Sequence, residues 1–523
     1  MKKRGLALLV VGAMVLSMLS GCGNTEEPVL SGENMEAGGD MESADEDEEM
    51  AEINVSLMVL KAVSDDSVTD PMVDAINVIT EKEINTHVNI TFQDINTYNT
   101  QIPIQFAANE KVDLMMFMPS GGTSVSAMRS LNQIIDMSGY LEQYGQDVLD
   151  TLGDLIKGCS YNDAIYGVPA NRVMVTDCFI VMRKDILDQL GLTEAAENMN
   201  NWEDYKAILE QVTAQTDLAG IGNSASGGGV LVCVPFLLGD EMFSDCVGFD
   251  TLGESNQMLY VDQETGKVGC YTTSEDYAAT TQRAFDWFNE GLIYKDASNA
   301  VDYGDTLLKN DIAFSFVVGS EYGIEATKRA SIGMDVICKK ITSGMLSTGT
   351  TTKFGFSIPV CATEPEAAVK FLNLMYTNAD IQNILSYGAE GRDWIEKDGY
   401  AAYPEGVTAE NVLYHQGDFL YGNQFITLPW EGAEENLREN QKEAMNNAEI
   451  SKYIGFTADV SGIENEITAC YNVITQYGST LNSGTEDDFD SMYSEFMDKM
   501  NASGMDKIIN AYQEQLDAWV AEQ

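Results

Sequence analysis

The chain has 523 residues, and its 83 Asp and Glu outnumber 29 Lys and Arg to leave a formal net charge of −54. A surface this acidic repels nucleic acid and anionic lipid, and argues against an anionic ligand held on a broad basic patch. With 44% hydrophobic residues the chain can bury large cores, and its length suits two lobes of about 200–250 residues better than one.

Lys2, Lys3 and Arg4 stand before an apolar run from Leu6 to Leu16, and Leu19-Ser20-Gly21-Cys22 follows. A basic start, a short apolar core and small residues make residues 1–21 a secretory signal peptide. The run is too short for a permanent membrane span. The four residues ending in Cys22 resemble the bacterial lipoprotein signal. That resemblance implies that the Cys22 thiol receives a diacylglyceryl group and becomes the first mature residue. The protein is then expected outside the cytoplasm, lipid-anchored to the outer face of the plasma membrane at the bacterial cell surface. Losing Lys2, Lys3 and Arg4 takes the charge to −57. Residues 22–50 lack Lys and Arg and carry the block Glu42, Asp45, Glu46, Asp47, Glu48 and Glu49. Like charges keep such a segment extended, so it reads as a disordered spacer.

The folded body opens with a strand, Ile53 to Leu60. A helical stretch from Pro71 places Val73, Ile76, Asn77 and Thr80 in register. His87 to Phe92 is a second strand, Thr97 to Asn109 a helix that Pro103 should distort, and Val112 to Met118 a buried strand. This alternation means a parallel α/β sheet, whose ligands bind beyond the carboxyl ends of the strands. The loops Lys61 to Asp66 and Pro119 to Ser124 qualify. Val173 to Met182 reads as a strand crossing between lobes, and Thr352 to Pro359 as a return crossing. Between them come a helix capped by Asn201, a hairpin around Glu264-Thr265-Gly266, a helix from Ser274 to Glu290, and the strand Ile312 to Val318. Trp202 is read as packing. The chain ends in two amphipathic helices broken near Ser503-Gly504. There Met505, Ile508, Ile509, Tyr512, Leu516 and Trp519 form a core stripe.

After Cys22 come eight cysteines and no CxxC pair. Cys233 and Cys338 lie in apolar runs, and the set reads as small buried hydrophobes. Export permits disulfides, but spacing specifies no pairing. His87 and His415 are the only histidines, neither with metal-ligand spacing, so no metal, cofactor or Ser-His-Asp triad is expected.

Five pieces together resemble the extracellular solute-binding lipoproteins of ABC sugar importers, in the oligosaccharide-binding branch of the family 1 solute-binding proteins. They are the signal at Cys22, Tyr166-Gly167-Val168-Pro169-Ala170, the hairpin Thr265-Gly266-Lys267-Val268, the run Leu385 to Trp394, and the stretch from Gly455 to Trp519. The resemblance implies an α/β, two-lobed, periplasmic-binding-protein-like fold of type II with a ligand cleft between the lobes. It implies capture of an oligosaccharide or glycoside, hinge closure, and delivery to the transmembrane subunits of an ABC permease, without catalysis. Lobe 1 is expected over 51–172 and 350–390, and lobe 2 over 173–349 and 391–523. A monomer is expected. Arg172 adds a cation at the crossing.

Sugars offer hydroxyls at their rims and C–H groups on their faces, so aromatic rings and polar side chains hold them. Trp430 lies in a loop between Pro429 and Gly432, Tyr322 follows a strand end, and Trp394 sits beside Arg392 and Asp393. These three are the expected sugar platforms. Asp65, Ser120, Glu321, Arg392 and Asn423 are the polar candidates. A receptor for peptides or other small solutes would share the scaffold with charge clamps in the cleft. A surface glycosidase would need two carboxylates across it.

Overall fold

The computed structural model describes residues 49–119, 121–224, 229–233, 236, 248–254, 256–299 and 301–523. The signal peptide, Cys22, the spacer through residue 48, Ser120 and Cys246 lie outside the described residues.

The first lobe opens with β1 (Ala51–Val59), α1 (Asp66–Ile84), β2 (Thr86–Asp94), α2 (Ile95–Ala108) and β3 (Leu114–Phe117). Asp65 starts α1 five residues before Pro71 by accepting the Ser67 amide, and α2 runs through Pro103. β4 (Val168–Pro169) follows, and the chain crosses to β5 (Asp177–Arg183) in the second lobe. That lobe continues through α3 (Trp202–Gln215), β6 (Ala219–Ile221), α4 (Glu275–Asn289), β7 (Ala313–Ser320) and β8 (Val336–Thr342). The chain returns with β9 (Gly355–Ser357), α5 (Pro365–Thr377) and α6 (Ala379–Tyr387). The C-terminal part holds α7 (Leu437–Asn446), α8 (Glu464–Leu481), α9 (Phe489–Ala502) and α10 (Met505–Glu522).

The first sheet has the order β2-β1-β3-β9-β4, with β1 parallel to β2 and β3, and β9 antiparallel to β3 and β4. β1 is central and covered on both faces, so its apolar residues run on instead of alternating. Buried Asp113 accepts the Asn54 amide at 2.8 Å and those of Thr363 and Glu364 at 2.8 and 3.1 Å, which joins β1 to the entry of α5. The second sheet has the order β8-β5-β7-β6. Cys178, Ile180 and Met182 of β5 face a core with Trp202, Tyr205 and Trp287, while Phe179 and Val181 face the opposite core. Trp202 packs edge-on to Trp287 at 5.8 Å, as a packing residue should. A third core joins the hairpin 259–270 to α8, α9 and α10, and α10 buries Met505, Ile508, Tyr512 and Leu516 at helical spacing. On α4 the buried face is Tyr277, Thr280, Thr281, Ala284 and Trp287, with Phe285 and Phe288 half-buried at its edge.

Among the described residues, three connections join the lobes: 170–176, 343–354 and 447–452. The first two approach so closely that a Cβ on Gly344 would lie 2.2 Å from the Thr176 carbonyl oxygen. Met345 and Leu346 pair in parallel with Glu449 and Ile450 of the third. The crossing strand is thus shorter than the apolar run Val173 to Met182, because Val173, Met174 and Val175 pack into the first core before β5 begins.

One boundary differs from the expected lobes. Residues 412–425 were assigned with lobe 2, yet Tyr414, Leu420, Tyr421 and Phe425 belong to the first core. Tyr421 Oη donates to the Met58 carbonyl at 2.8 Å and Tyr414 Oη to that of Leu385 at 2.8 Å. The reason is tertiary: these rings cap the carboxyl end of β1, remote in sequence.

In the turn between α8 and α9, Glu486 is 6% exposed, and neither carboxylate oxygen has a hydrogen-bond partner among the described residues. Burial pushes this carboxyl up to about 7 from an ordinary 4.5. The folded value lies above the unfolded one, so its contribution is fullest below about 4.5 and is lost as pH rises through about 7. Glu486→Gln should therefore stabilise the protein by about 2–3 kcal/mol at pH 8 and change little at pH 4. Denaturant melts at the two pH values check this.

Candidate functional site

The site begins at the carboxyl end of β1. Gln416 Oε1 accepts the amides of Leu60 and Lys61 at 2.9 and 3.1 Å, and its Nε2 donates to the Lys61 carbonyl at 2.8 Å. This sets His415, one residue earlier, beside the strand end. Trp430 meets the His415 ring edge-on at 4.5 Å, Tyr403 at 4.7 Å and Tyr387 at 5.1 Å. The Trp430 backbone is itself held, since the Ala401 amide donates to Pro429 and the Glu431 amide to Ala401. Trp430, Tyr403 and His415 are half-buried, so the cluster is a wall with one side open to solvent. Burial lowers the His415 pKa, as does Lys61, against the pull of Asp418 and Asp393.

Asp418 connects this wall to a set of charges. It pairs with Arg438 of α7, and Arg438 also donates to Thr427 Oγ1 at 2.8 Å and to the Thr427 carbonyl at 3.2 Å. The pair thus ties α7 to the loop that presents Trp430. Next to Asp418, the half-buried Phe419 ring lies 6.1 Å from Phe354. The Arg172 guanidinium lies 5.9 Å from the centre of the Phe354 ring.

Arg172 is 4% exposed and donates to the Val173 carbonyl at 2.7 Å and the Thr350 carbonyl at 3.0 Å, one on each of the first two connections. Glu321, immediately after β7 of the second lobe, faces it at 3.8 Å, too far for a hydrogen bond. Burial raises the Glu321 pKa, with Arg172 and Lys353 pulling it down and Asp418 pushing it up. Lys353 is lowered by desolvation and by Arg172, with Glu321 opposing. Three charged groups from both lobes and the crossing thus perturb one another without closing a hydrogen bond between them. Arg172 is held by the two carbonyls, and half-buried Glu321 can accept from a sugar hydroxyl.

Tyr322 is 39% exposed and reaches across to α7. Burial and nearby Glu434 raise its pKa, with Asn440 opposing. Glu321, Tyr322 and Trp430 are therefore brought to one region. The other sequence candidates are not. Trp394 is 5% exposed and gives its Nε1 to the Gly388 carbonyl at 2.9 Å, so it offers no free face and packs beneath Tyr387. Arg392 is spent on buried Asp393 and on the Val68 carbonyl at 2.8 Å. Asp65 caps α1. Asn423 is buried at the hinge, where it accepts from Asn171 Nδ2 at 2.9 Å and donates to the Tyr376 carbonyl at 3.0 Å. It lines a cavity of about 470 Å³ formed with Leu346, Met445 and Ile450, separate from the ring wall. Ser120 lies outside the described residues. Sequence reasoning passed over Tyr403, His415, Asp418, Phe419, Lys353 and Phe354. Only Lys353-Phe354 carried a local signal, as a cation and ring heading an apolar crossing strand.

Two α/β lobes linked side by side define the class of two-lobed binding proteins. Residues 74–391 match the family described as bacterial extracellular solute-binding protein, and residues 452–521 match a domain of unknown function (DUF3502). The chain belongs to the bacterial extracellular solute-binding proteins, and so works outside the cytoplasm. It is 23% identical over 451 residues to a carbohydrate ABC transporter substrate-binding protein of Streptococcus pneumoniae, covering 85% of this chain and 87% of that one. The crystal structure of the N-glycan transport solute binding protein NgtS, also from S. pneumoniae, superposes with a TM-score of 0.72 at 20% identity, over 90% of this chain and 99% of that one. An extracellular solute-binding protein from Bifidobacterium longum subsp. infantis gives a TM-score of 0.62 at 15% identity, over 89% and 98%. These likenesses establish the two-lobed fold.

The Asp418–Arg438 pair gives a direct test of how the wall is held. Arg438→Met leaves a largely desolvated carboxylate without its cation and should cost about 2–4 kcal/mol of stability. Chemical denaturation measures the loss, and near-ultraviolet circular dichroism should report a loosened Trp430 cluster.

Proposed function

We propose that this protein captures an oligosaccharide or glycoside outside the cell and hands it to the transmembrane subunits of an ABC importer, without chemistry of its own. The carrying observation is the half-open ring wall of Trp430, Tyr403 and His415 beside Arg172, Glu321 and Lys353. Rings suit the C–H faces of a sugar, and the charged groups suit its hydroxyls. The carbohydrate cargo in the names of the pneumococcal relatives supports the same class. In this reading residues 51–172 and 350–446 form one lobe and the β5–β8 sheet with α8, α9 and α10 the other. Closure draws Glu321 and Tyr322 towards the wall, and a sugar favours it only through tighter contact with the closed form.

A thermal-shift panel of plant-derived and host-type oligosaccharides tests the reading. A true ligand at 100 times its Kd should add about 2.7 kcal/mol of stability, and no reducing sugar should be released. Trp430→Ala should weaken that ligand tenfold to a hundredfold in calorimetric titration, about 1–3 kcal/mol. It should also lower the stability of the empty protein by about 1–2 kcal/mol, since the ring leans on three others. Unchanged affinity would remove Trp430 from the site.

The anchor is proposed at Cys22, with the acidic segment to residue 50 as a spacer and the protein a monomer at the cell surface. Wild-type protein should incorporate labelled fatty acid and fractionate with membranes. Cys22→Ala should do neither while keeping sugar affinity. Label on Cys22→Ala would refute the assignment.

A further inference from the structure

β5 and β7 pair antiparallel with Cys178 directly opposite Gly319. Side chains alternate along the pleat, so Gly319 shares the face of Cys178, Ile180 and Met182. Gly319 has no side chain, and the space is filled from above. Cys233 Sγ lies 3.5 Å from where a Gly319 Cβ would stand. Directly opposed residues hold their Cβ atoms about 4.5–5.5 Å apart, so Cys233 Sγ sits over the Cys178–Gly319 pair. Burial, and then the neighbouring Cys233 thiol, push the Cys178 thiol up. Both are buried in the same core, at 0% and 4% exposure.

No other cysteines among the described residues meet this way. Cys338 lies against the opposite face of the sheet, and Cys159 and Cys361 belong to the first lobe. Cys270 and Cys470 share a core, but Cys270 Sγ contacts Thr272 Oγ1 at 3.2 Å and Cys470 Sγ donates to the Met500 carbonyl. An extracytoplasmic protein meets oxidising partners that cytosolic proteins do not.

We propose that Cys178 and Cys233 form a disulfide in the exported protein, made by exchange with an extracytoplasmic disulfide oxidant. One cysteine thiolate attacks the oxidant's disulfide, forming a mixed disulfide and expelling one oxidant sulfur as thiolate. The second cysteine thiolate then attacks the protein sulfur of that mixed disulfide and releases the other oxidant sulfur. The two cysteines lose two electrons and two protons, and the oxidant becomes a dithiol. Because both sulfurs end up buried, the exchange belongs to folding, before residues 229–233 settle on the sheet. The bond staples that segment over Gly319, two residues before Glu321, so it stiffens the second-lobe side of the site.

The test uses the full chain, secreted through its own signal and denatured in N-ethylmaleimide without reductant. Two cysteines should escape alkylation, and proteolysis should yield one cross-linked peptide containing Cys178 and Cys233. Reduction should raise the intact mass by two hydrogens, and the oxidised protein should melt several degrees above the reduced one. Cys178→Ser or Cys233→Ser should each abolish the cross-link, and Cys470→Ser should preserve it. Complete alkylation without reductant, even after refolding in oxidised glutathione, would overturn the proposal. So would a cross-link joining Cys270 to Cys470.

Discussion

A buried cation between the lobes sets the terms for the rest of this fold. Removing a guanidinium from water costs several kcal/mol unless partners replace the solvent. Arg172 has three: the Val173 carbonyl on the first connection, the Thr350 carbonyl on the second, and Glu321 from the far lobe at 3.8 Å. Leaving any of them absent would strand charge in a dry interior. The two connections must therefore run side by side, which Gly344 permits by letting Thr176 approach. The end of β7 must in turn face the hinge, and that places Glu321 and Tyr322 at the site.

The same economy organises the wall. Asp418 touches Arg438, and its charge is felt by Glu321, His415 and Tyr387. One carboxylate therefore relates the ring cluster to the polar groups at the crossing. Rings alone would stack in many arrangements of similar energy. The Arg438 donors to Thr427 select the one that presents Trp430 to solvent. Tyr322 meets Glu434 and Asn440 around the start of α7, and the same helix carries Arg438.

The acidity of the chain has a local exception here. In a protein of net charge −54, Arg172, Lys353 and Arg438 gather within one site, and Lys353 is depressed by desolvation and by Arg172. The average charge describes the surface, whereas Arg172 and Arg438 are buried beside Glu321 and Asp418. Treating the average as a description of the cleft would miss them.

The fold class was legible in the chain because its signals are local. Period-two and period-3.6 patterns with their caps placed β1, α1, β2, α2, β3, the hairpin and the C-terminal stripe. Asn201 capping α3 and Trp202 packing beneath it needed only neighbouring residues. Glu321, Tyr322 and Trp430 could be singled out as candidates, since strand ends and Pro–Gly loops expose what they carry. Trp394 and Asn423 were not, because a loop setting cannot tell an exposed ring from one whose Nε1 has found Gly388, nor a free amide from one bridging Asn171 and Tyr376. Tyr403, His415 and Asp418 join the site only because residues 412–425 return to cap β1. The pairing of Cys178 with Cys233 likewise depends on the register that sets Cys178 opposite Gly319. Sequence by itself determined the alternation of strands and helices and the family of two-lobed binding proteins, both carried by residues close in the chain. Tertiary structure alone decided which rings and charges share a surface, because burial and long-range hydrogen bonds act between residues the chain keeps hundreds of positions apart.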